Sequence, residues 1–243
     1  METAKGRYDY LRSFRDQYLE TAIEAARLTI PYIIRQDDED SKTRTNLKTP
    51  WQASGARGVS TLAAKLMLAL IPPQTSFFKL QLDEAQLIKN DIDPQVRSDL
   101  DLSFSKIERT INEMISASDD RVVVHQAMKH LVVTGNALMF MDKDQLKVYP
   151  LNRYVVDRDG DGNVIEIVTR ERIHRSLVES KLPAEAKRKV NRVGDDGETS
   201  SYNDDVDVYT HVKRDNNRMV WYQESLGYKL EKSFSKAPLD NNP

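Results

Sequence analysis

The chain has 243 residues, of which 39% are apolar and 30% are charged. This composition excludes a disordered chain, and the longest apolar run, Leu66 to Pro73, is far shorter than the roughly 20 residues that cross a bilayer. Lys and Arg number 36 against 38 for Asp and Glu, so the net charge of -2 gives no general attraction to polyanions. There is no cysteine, which excludes disulfides and thiolate metal sites and fits synthesis in the cytosol.

The first half of the chain repeats apolar residues at steps of three and four, which predicts helices. Asp93 is placed to cap the third helix, and Gly135 to end the fourth in a left-handed conformation. Two short extended segments are expected between and after these helices, at Phe77–Leu82 and Ala137–Met141. The expected helices are Tyr10–Ile34, a helix opening at Thr49 and Pro50, Pro94–Ala117, and one that begins at Asp119 or Asp120.

From Gln145 onward the apolar period changes to two, which predicts strands bounded by turn residues. One short helix is expected at Leu182–Val190, followed by a polar segment from Gly194 to Asp205. The last predicted strands form an antiparallel meander with a turn at Leu226-Gly227. Helices first and sheet second predict an α+β fold, with a helical part at residues 1–142 and a mainly antiparallel β-rich part at residues 143–243.

The segment Thr49 to Phe78 combines a start signal, an apolar stripe and a stop signal. Thr49 can cap a helix whose first residue is Pro50, and Pro72-Pro73 forbids its continuation. This pattern alone describes an ordinary core helix. The stripe expected to be buried consists of Val59, Leu62, Ala63, Leu66 and Leu70.

Long strings of the sequence carry more information than this periodicity. PWQASGARGVSTLAAKLMLALIPPQTSFFKL resembles the signature segment of the head-to-tail connector, or portal, proteins of short-tailed bacteriophages. Three further strings match in family order: AMKHLVVTGNALMFM, VYPLNRYVVDRDGDGNVIEIVTRERI and DVDVYTHV. The resemblance extends from about Tyr18 to Val212 and identifies the chain with the amino-terminal portion of that family.

The resemblance implies a non-enzymatic structural subunit without cofactor or small-molecule substrate. Portal subunits form a closed ring, typically a dodecamer, at one capsid vertex of the virion and are assembled in the host cytoplasm. The ring conducts double-stranded DNA during packaging and ejection. Its implied partners are the major capsid protein, scaffold, terminase, tail adaptor and internal core proteins. Both parts of this chain would then belong to the wing region. Because the stem, clip and tunnel loop are missing, we expect a truncated chain or a portion of a longer protein.

One segment matches the beginning of a calcium-binding loop. Asp157, Asp159, Asp161 and Gly162 fit D-x-D-x-D-G, but the twelfth position, which should supply a bidentate glutamate, is Val168. A tight hairpin turn, with Asp and Gly supplying positive φ angles, is the favoured interpretation. The alternative function is a metal-dependent nucleic-acid enzyme or calcium-binding module centred on this loop.

Other catalytic patterns are missing from the sequence. There is no HExxH, GxSxG or GxxxxGK[ST], and His125 and His130 are five positions apart, whereas a metal-binding helical pair is spaced by four. Asp204, Asp205 and Asp207 could hold magnesium in principle, but they fit polar turn residues better. Two basic clusters are interpreted as mixed, solvated surface because acids are interleaved: Arg170, Arg172, His174 and Arg175, and Lys187, Arg188, Lys189 and Arg192.

The signature segment also supplies candidates for a subunit interface or for packing. Trp51 brings a large apolar area and suits a core or interface anchor, whereas Arg57 and Lys65 lie roughly on one side of the helix. Both cations could pair with acids of a neighbouring subunit or within the chain. A free-standing module that binds capsid or scaffold without forming a ring is a third possibility. The candidate residues for a subunit interface or for packing are therefore Trp51, Gln52, Arg57 and Lys65.

Overall fold

The computed structural model describes residues 3–34, 50–73, 75–81, 93–142, 145–184, 186–187, 205–215, 218–231 and 235–238. The helices are α1 (Ala4–Leu28), α2 (Ser54–Leu70), α3 (Pro94–Ala117), α4 (Asp120–Thr134) and α5 (Arg175–Glu179), with a 3-10 turn at Leu151–Arg153. The strands are β1 (Leu138–Asp142), β2 (Gln145–Tyr149), β3 (Tyr154–Arg158), β4 (Val164–His174), β5 (Asp205–Asp215), β6 (Arg218–Ser225), β7 (Tyr228–Lys229) and β8 (Ser235–Pro238). Helices precede antiparallel sheets, so the predicted α+β class is confirmed.

The chain divides into two compact units. The first consists of Met1–Glu24, Pro31–Lys48 and Pro150–Pro243, and the second of Ala25–Ile30 and Thr49–Tyr149. Assignment of either part of the chain to a portal wing remains a prediction.

The first unit is built on one six-stranded antiparallel sheet. Its strands lie in the order β3-β4-β5-β6-β7, and β8 pairs with β6. The β6–β7 connection turns at Leu226 and Gly227, whose φ angles of 54° and 77° confirm the predicted tight turn. Side chains alternate between the two faces of a strand, so this register fixes which residues share a face.

The amino-terminal half of α1 covers one face of this sheet, which we call the helix face. Tyr8 is buried and meets Tyr209 edge to face, with ring centroids 5.5 Å apart. The hydroxyl of Tyr8 also donates a 2.9 Å hydrogen bond to the carbonyl oxygen of Asn152. The core on this face contains Ala4, Tyr8, Leu11, Val155, Val168, Tyr209 and Tyr222.

A smaller core lies on the opposite face. Val178 of α5 and Val208 of β5 are both buried there, and a helical turn follows in which the Lys187 N–H donates to Pro183 O at 3.0 Å. That turn falls inside the predicted helix Leu182–Val190, whose last residues lie outside the described part. The core contains Val178, Leu182, Ala186, Val208 and Leu230.

The described part of the second unit contains helices α2, α3 and α4 and the β1–β2 hairpin. Helix α2 packs against α4, and α4 packs against β2. In the described residues of this unit, the buried apolar side chains include three alanines. They are Ala26, Ile30, Val59, Ala63, Met67, Ala127, Val133 and Tyr149.

Local signals placed several helix ends correctly. The Asp93 carboxylate accepts a 3.1 Å hydrogen bond from the backbone of Gln95 at the start of α3, as predicted for a cap. Gly135 ends α4 with a φ of 75°. Helix α2 ends at Leu70, just before Pro72-Pro73.

The predicted bounds of α1 and α2 were wrong at their starts. Helix α1 runs from Ala4 to Leu28 instead of from Tyr10 to Ile34, because contacts with the sheet hold its first turns. Helix α2 begins at Ser54, and the residue before it, Ala53, makes no side-chain capping hydrogen bond. The predicted cap Thr49 lies outside the described residues.

Several predicted burial patterns were also wrong. In α2, Val59 and Ala63 are buried but Leu62 and Leu70 are about half exposed, and Met67 takes the next buried position because the contact surface spirals around the helix. The expected extended segment at Phe77–Leu82 pairs with no described strand, but in its described residues, 77–81, Phe78 and Leu80 are half-buried between exposed neighbours, as the predicted alternation requires. In α1, the expected core residues Phe14 and Tyr18 are exposed.

Candidate subunit interface

The signature segment packs through Val59, Ala63 and Met67 but leaves its four candidate residues exposed. Trp51, just before α2, is 104% exposed, so no described residue covers it. Gln52, Arg57 and Lys65 are exposed too, and neither cation forms an ion pair with another described residue. A role for these four residues at a subunit interface therefore remains a prediction.

More of the second unit's large apolar side chains are exposed than buried. The β1–β2 hairpin pairs with no third described strand, and its Met139, Phe140 and Met141 are each about half exposed. A two-stranded hairpin has little stability alone, and exposed apolar groups of this size mark interaction surfaces. Others exposed in this unit are Leu62, Leu68, Leu70, Ile107 and Met114.

A second exposed apolar surface lies on α1, in the first unit. Tyr10, Phe14 and Tyr18 are 55%, 55% and 66% exposed, and we call them the aromatic stripe. Tyr10 and Phe14 stack edge to face with ring centroids 5.3 Å apart. This surface was not predicted, because the same residues fit the period of a buried stripe. The usable signal was Leu11, which gives the helix a second apolar side, and a helix with two apolar sides needs two partners.

The Asp157–Asp161 segment forms a hairpin turn between β3 and β4, which confirms the favoured interpretation. Asp159 accepts hydrogen bonds from the backbone of Asp161 at 3.0 Å and of Asn163 at 2.7 Å, and from the Asn163 side chain at 3.0 Å. These bonds, the Asn163 side chain first, lower the pKa of the Asp159 carboxyl. Of the turn residues only Gly162 has a positive φ, so the expectation of positive φ at Asp was wrong.

The turn leaves its carboxylates poorly arranged for a cation. Asp157 pairs with Arg7 at 2.9 Å, and Asp159 is occupied by the turn itself. Within the described residues, no group of three or more His, Cys, Asp or Glu side chains could hold a metal ion.

The basic cluster on β4 is neutralised by neighbouring acids. Arg170 lies 3.1 Å and Arg172 3.6 Å from Asp207, and Arg175 pairs with Glu179 at 2.8 Å. Asp207, considered above as a magnesium ligand, is therefore an ion-pair partner. Asp204 and the second cluster beyond Lys187 lie outside the described residues.

The histidines lie in dissimilar environments. Burial lowers the pKa of His130, and burial and Lys129 lower that of His125. His211 is buried in the sheet, where Nε2 lies 2.7 Å from Glu166 and Nδ1 lies 3.0 Å from the Tyr222 hydroxyl. Glu166 also accepts a hydrogen bond from Arg7 of α1. This network ties α1 to the sheet.

One open cleft of about 630 Å³ lies in the second unit, between the double proline and α3. Its charged side chains already have partners. Glu108 accepts from the Leu80 backbone at 2.6 Å, Arg109 pairs with Glu113 at 2.9 Å, and Arg121 donates to Ile71 O at 2.9 Å. Among the described helices, none is both long and apolar enough to cross a membrane.

Comparisons with known proteins agree with the resemblance seen in the sequence. A family model described as bacteriophage head to tail connecting protein matches residues 1–236. The portal proteins of Escherichia phage T7 and Enterobacteria phage T3 are each 35% identical over 99% of this chain and 44% of their own length. The portal protein of Pseudomonas phage phiKMV is 31% identical over 84% of the chain and 39% of its own length. The chain thus spans less than half the length of these relatives.

These matches confirm the family inferred from the four sequence strings. The chain belongs to the bacteriophage head-to-tail connecting protein family.

Proposed function

We propose that this chain is the amino-terminal part of a portal subunit, contributing its wing. Such subunits form a closed ring at one capsid vertex of the virion, assembled in the host cytoplasm. The ring conducts double-stranded DNA and docks terminase during packaging and the tail during ejection. The wing portion serves ring packing and contacts with the capsid, scaffold and internal core proteins. It performs no catalysis.

The observation that carries this proposal is the 35% identity to two phage portal proteins across 99% of the chain. A match of that extent covers both compact units, so neither is an unrelated insertion. The exposed apolar surfaces give independent support. Met139, Phe140 and Trp51 would be costly to leave in water, at about 25 cal/mol per Å² of apolar area, and a ring of subunits would cover them.

The charge distribution supports a DNA conduit more than a DNA clamp. The net charge is -2, and the arginines of β4 are engaged by Asp207. Each phosphate neutralised by a cation adds affinity through counterion release, which would hinder sliding. We therefore expect weak binding of double-stranded DNA that disappears as salt is raised.

The test is the oligomeric state of this chain. Sedimentation velocity and negative-stain electron microscopy should find closed rings of one subunit number, typically twelve by analogy with the family. A strictly monomeric particle at every accessible concentration contradicts the proposal. A titration with fluorescent duplex DNA at two salt concentrations checks the conduit role, and tight binding that resists salt contradicts it.

A further inference from the structure

The described residues leave most of the aromatic stripe of α1 open, with the Arg7 guanidinium over the Tyr10 ring, 5.0 Å from its centroid. Tyr10, Phe14 and Tyr18 recur every four residues and therefore lie along one side of the helix. Glu20 and Glu24 are exposed beside them, and residues 16–24 hold three acids and no Lys or Arg. This surface, the stripe with Glu20 and Glu24, we call the outer α1 face. It is apolar at its centre and acidic at one margin.

The face of the sheet opposite α1 carries a second apolar surface, which the described residues leave partly open. Val156, Ile167, Val212 and Trp221 are consecutive partners across β3, β4, β5 and β6, so they form one apolar row. Trp221 is 36% exposed, and the other three are half-buried. Val208, in the smaller core, lies four residues from Val212 along β5, which is about 14 Å at 3.4 Å per residue. That core therefore covers the other end of this face.

The charges beside this row are positive. Arg214 is exposed and shares its face, because it lies two residues along β5 from Val212. Arg158 is exposed at the end of β3, just past a β-bulge that follows Asp157, and its guanidinium donates to Gly162 O at 2.8 Å. Asp157 and Glu166 point to the helix face, where they pair with Arg7. Asp159 and Asp161 lie in the turn beyond the strand end. We call the row with Arg158 and Arg214 the sheet patch.

We infer that the outer α1 face of one copy packs on the sheet patch of a second copy. The outer α1 face is apolar with acidic side chains at its edge, and the sheet patch is apolar with basic side chains at its edge. Opposite charges of this kind steer two surfaces together and fix their orientation. Helix on sheet is also the ordinary way to bury one face of a sheet. The inference rests on the proposed ring, because it assigns two of that ring's contact surfaces.

The apolar parts of the two surfaces have similar lengths. From Tyr10 to Tyr18 the aromatic stripe rises about 12 Å at 1.5 Å per residue. The four-strand row spans about 14 Å at 4.8 Å between neighbouring strands. Because α1 already covers the helix face of its own sheet, the contact places it between two sheets. The surfaces differ, so the contact is head-to-tail and generates a ring when the rotation closes.

Cysteine cross-linking tests this contact without background, because the chain has no cysteine. One variant carries Gln17→Cys beside the aromatic stripe, and another carries Ile165→Cys, an exposed residue two positions from Ile167. The two are mixed, allowed to assemble and treated with a short bismaleimide. We expect a species of twice the 27.9 kDa chain mass in the mixture and its near absence from either variant alone.

The matched control is Arg12→Cys, an exposed position about 140° around α1 from Gln17. Mixed with Ile165→Cys, it should give no covalent dimer. This contact is contradicted if oligomers form without the Gln17–Ile165 cross-link, or if the Arg12 control gives as much cross-link. Either result would leave the proposed ring standing. A chain that stays monomeric overturns both.

Charge reversal gives a second test. Glu20→Lys with Glu24→Lys should weaken assembly, as should Arg158→Glu with Arg214→Glu. Mixing the two double variants should restore a mixed oligomer. All four positions are exposed, so circular dichroism melting should stay unchanged. Assembly that is unaffected by either reversal contradicts the contact.

Discussion

The backbone N–H of Ala4 donates a 2.9 Å hydrogen bond to Glu224 Oε2, across 220 positions of sequence. Ala4 is the first residue of α1, so a carboxylate from β6 meets an N–H that has no partner within the helix. Glu224 is 5% exposed. The helix dipole places partial positive charge at this end, which the carboxylate complements.

We expect Glu224→Gln to destabilise the first unit by about 1–2 kcal/mol, because an amide retains the shape but loses the charge at the helix terminus. The measurement is urea unfolding, together with hydrogen exchange of the first α1 amides, which should become faster. Glu113→Gln is the control, since Glu113 forms only an exposed ion pair with Arg109. Unchanged exchange in Glu224→Gln would rule out the cap.

A second prediction concerns His211. The pKa of His211 is lowered from 6.5, mainly by burial. The hydrogen bond and the charge of Glu166 act against this and raise the pKa, whereas the charges of Lys213 and Arg7 lower it. The neutral ring, with hydrogen on Nε2, donates to Glu166 and accepts from Tyr222 at Nδ1. Because the folded pKa lies below that of the unfolded chain, the stabilisation is complete above about pH 6.5 and is lost as the pH falls through the folded pKa.

Glu166→Gln should therefore lower the pKa of His211 further, and Lys213→Ala should raise it, as followed by NMR titration of the ring protons. His125 is the internal reference because Glu166 does not contribute to its pKa. A rise of the His211 pKa in Glu166→Gln would be inconsistent with this network.

Local chemistry made parts of this fold predictable. Asp93 before Pro94, Gly135 and Pro72-Pro73 each fix a helix end through their own backbone or side-chain geometry. The β3–β4 turn was predictable for the same reason, because the Asp159 side chain accepts hydrogen bonds from residues only two and four positions away.

Long-range contacts were not predictable. The buried side of α1 is set by Tyr209 and Glu224, more than 200 positions away from Tyr8 and Ala4, and no periodicity within the helix shows which apolar side meets them. Phe14 therefore looked like a core residue and is exposed. The Arg7–Glu166–His211 network was missed for the same reason: its members come from three elements whose pairing the sequence does not reveal.

The Asp159 turn predicts how the chain responds to calcium. Asp159→Ala removes three acceptor contacts and should lower the melting temperature equally with and without calcium. Asp161→Ala is the control, because only its backbone takes part in those contacts. Calorimetric titration with calcium and magnesium should give no binding heat. A calcium-dependent rise in melting temperature that Asp159→Ala abolishes would restore the calcium-module alternative.

The two glycines in the first turns of α2, Gly55 and Gly58, should respond oppositely to alanine. A Cβ at Gly55 would lie 2.4 Å from the carbonyl oxygen of Leu28, a backbone atom that cannot rotate away, whereas nothing lies within 4 Å of a Cβ at Gly58. Overpacking costs about 1–3 kcal/mol, and alanine gains about 1 kcal/mol of helix propensity over glycine. Gly55→Ala should thus lower the free energy of unfolding of the second unit, and Gly58→Ala should raise it by up to about 1 kcal/mol. Urea unfolding followed by far-ultraviolet circular dichroism measures both. Equal stabilisation by the two variants would mean that α2 does not approach the end of α1 this closely.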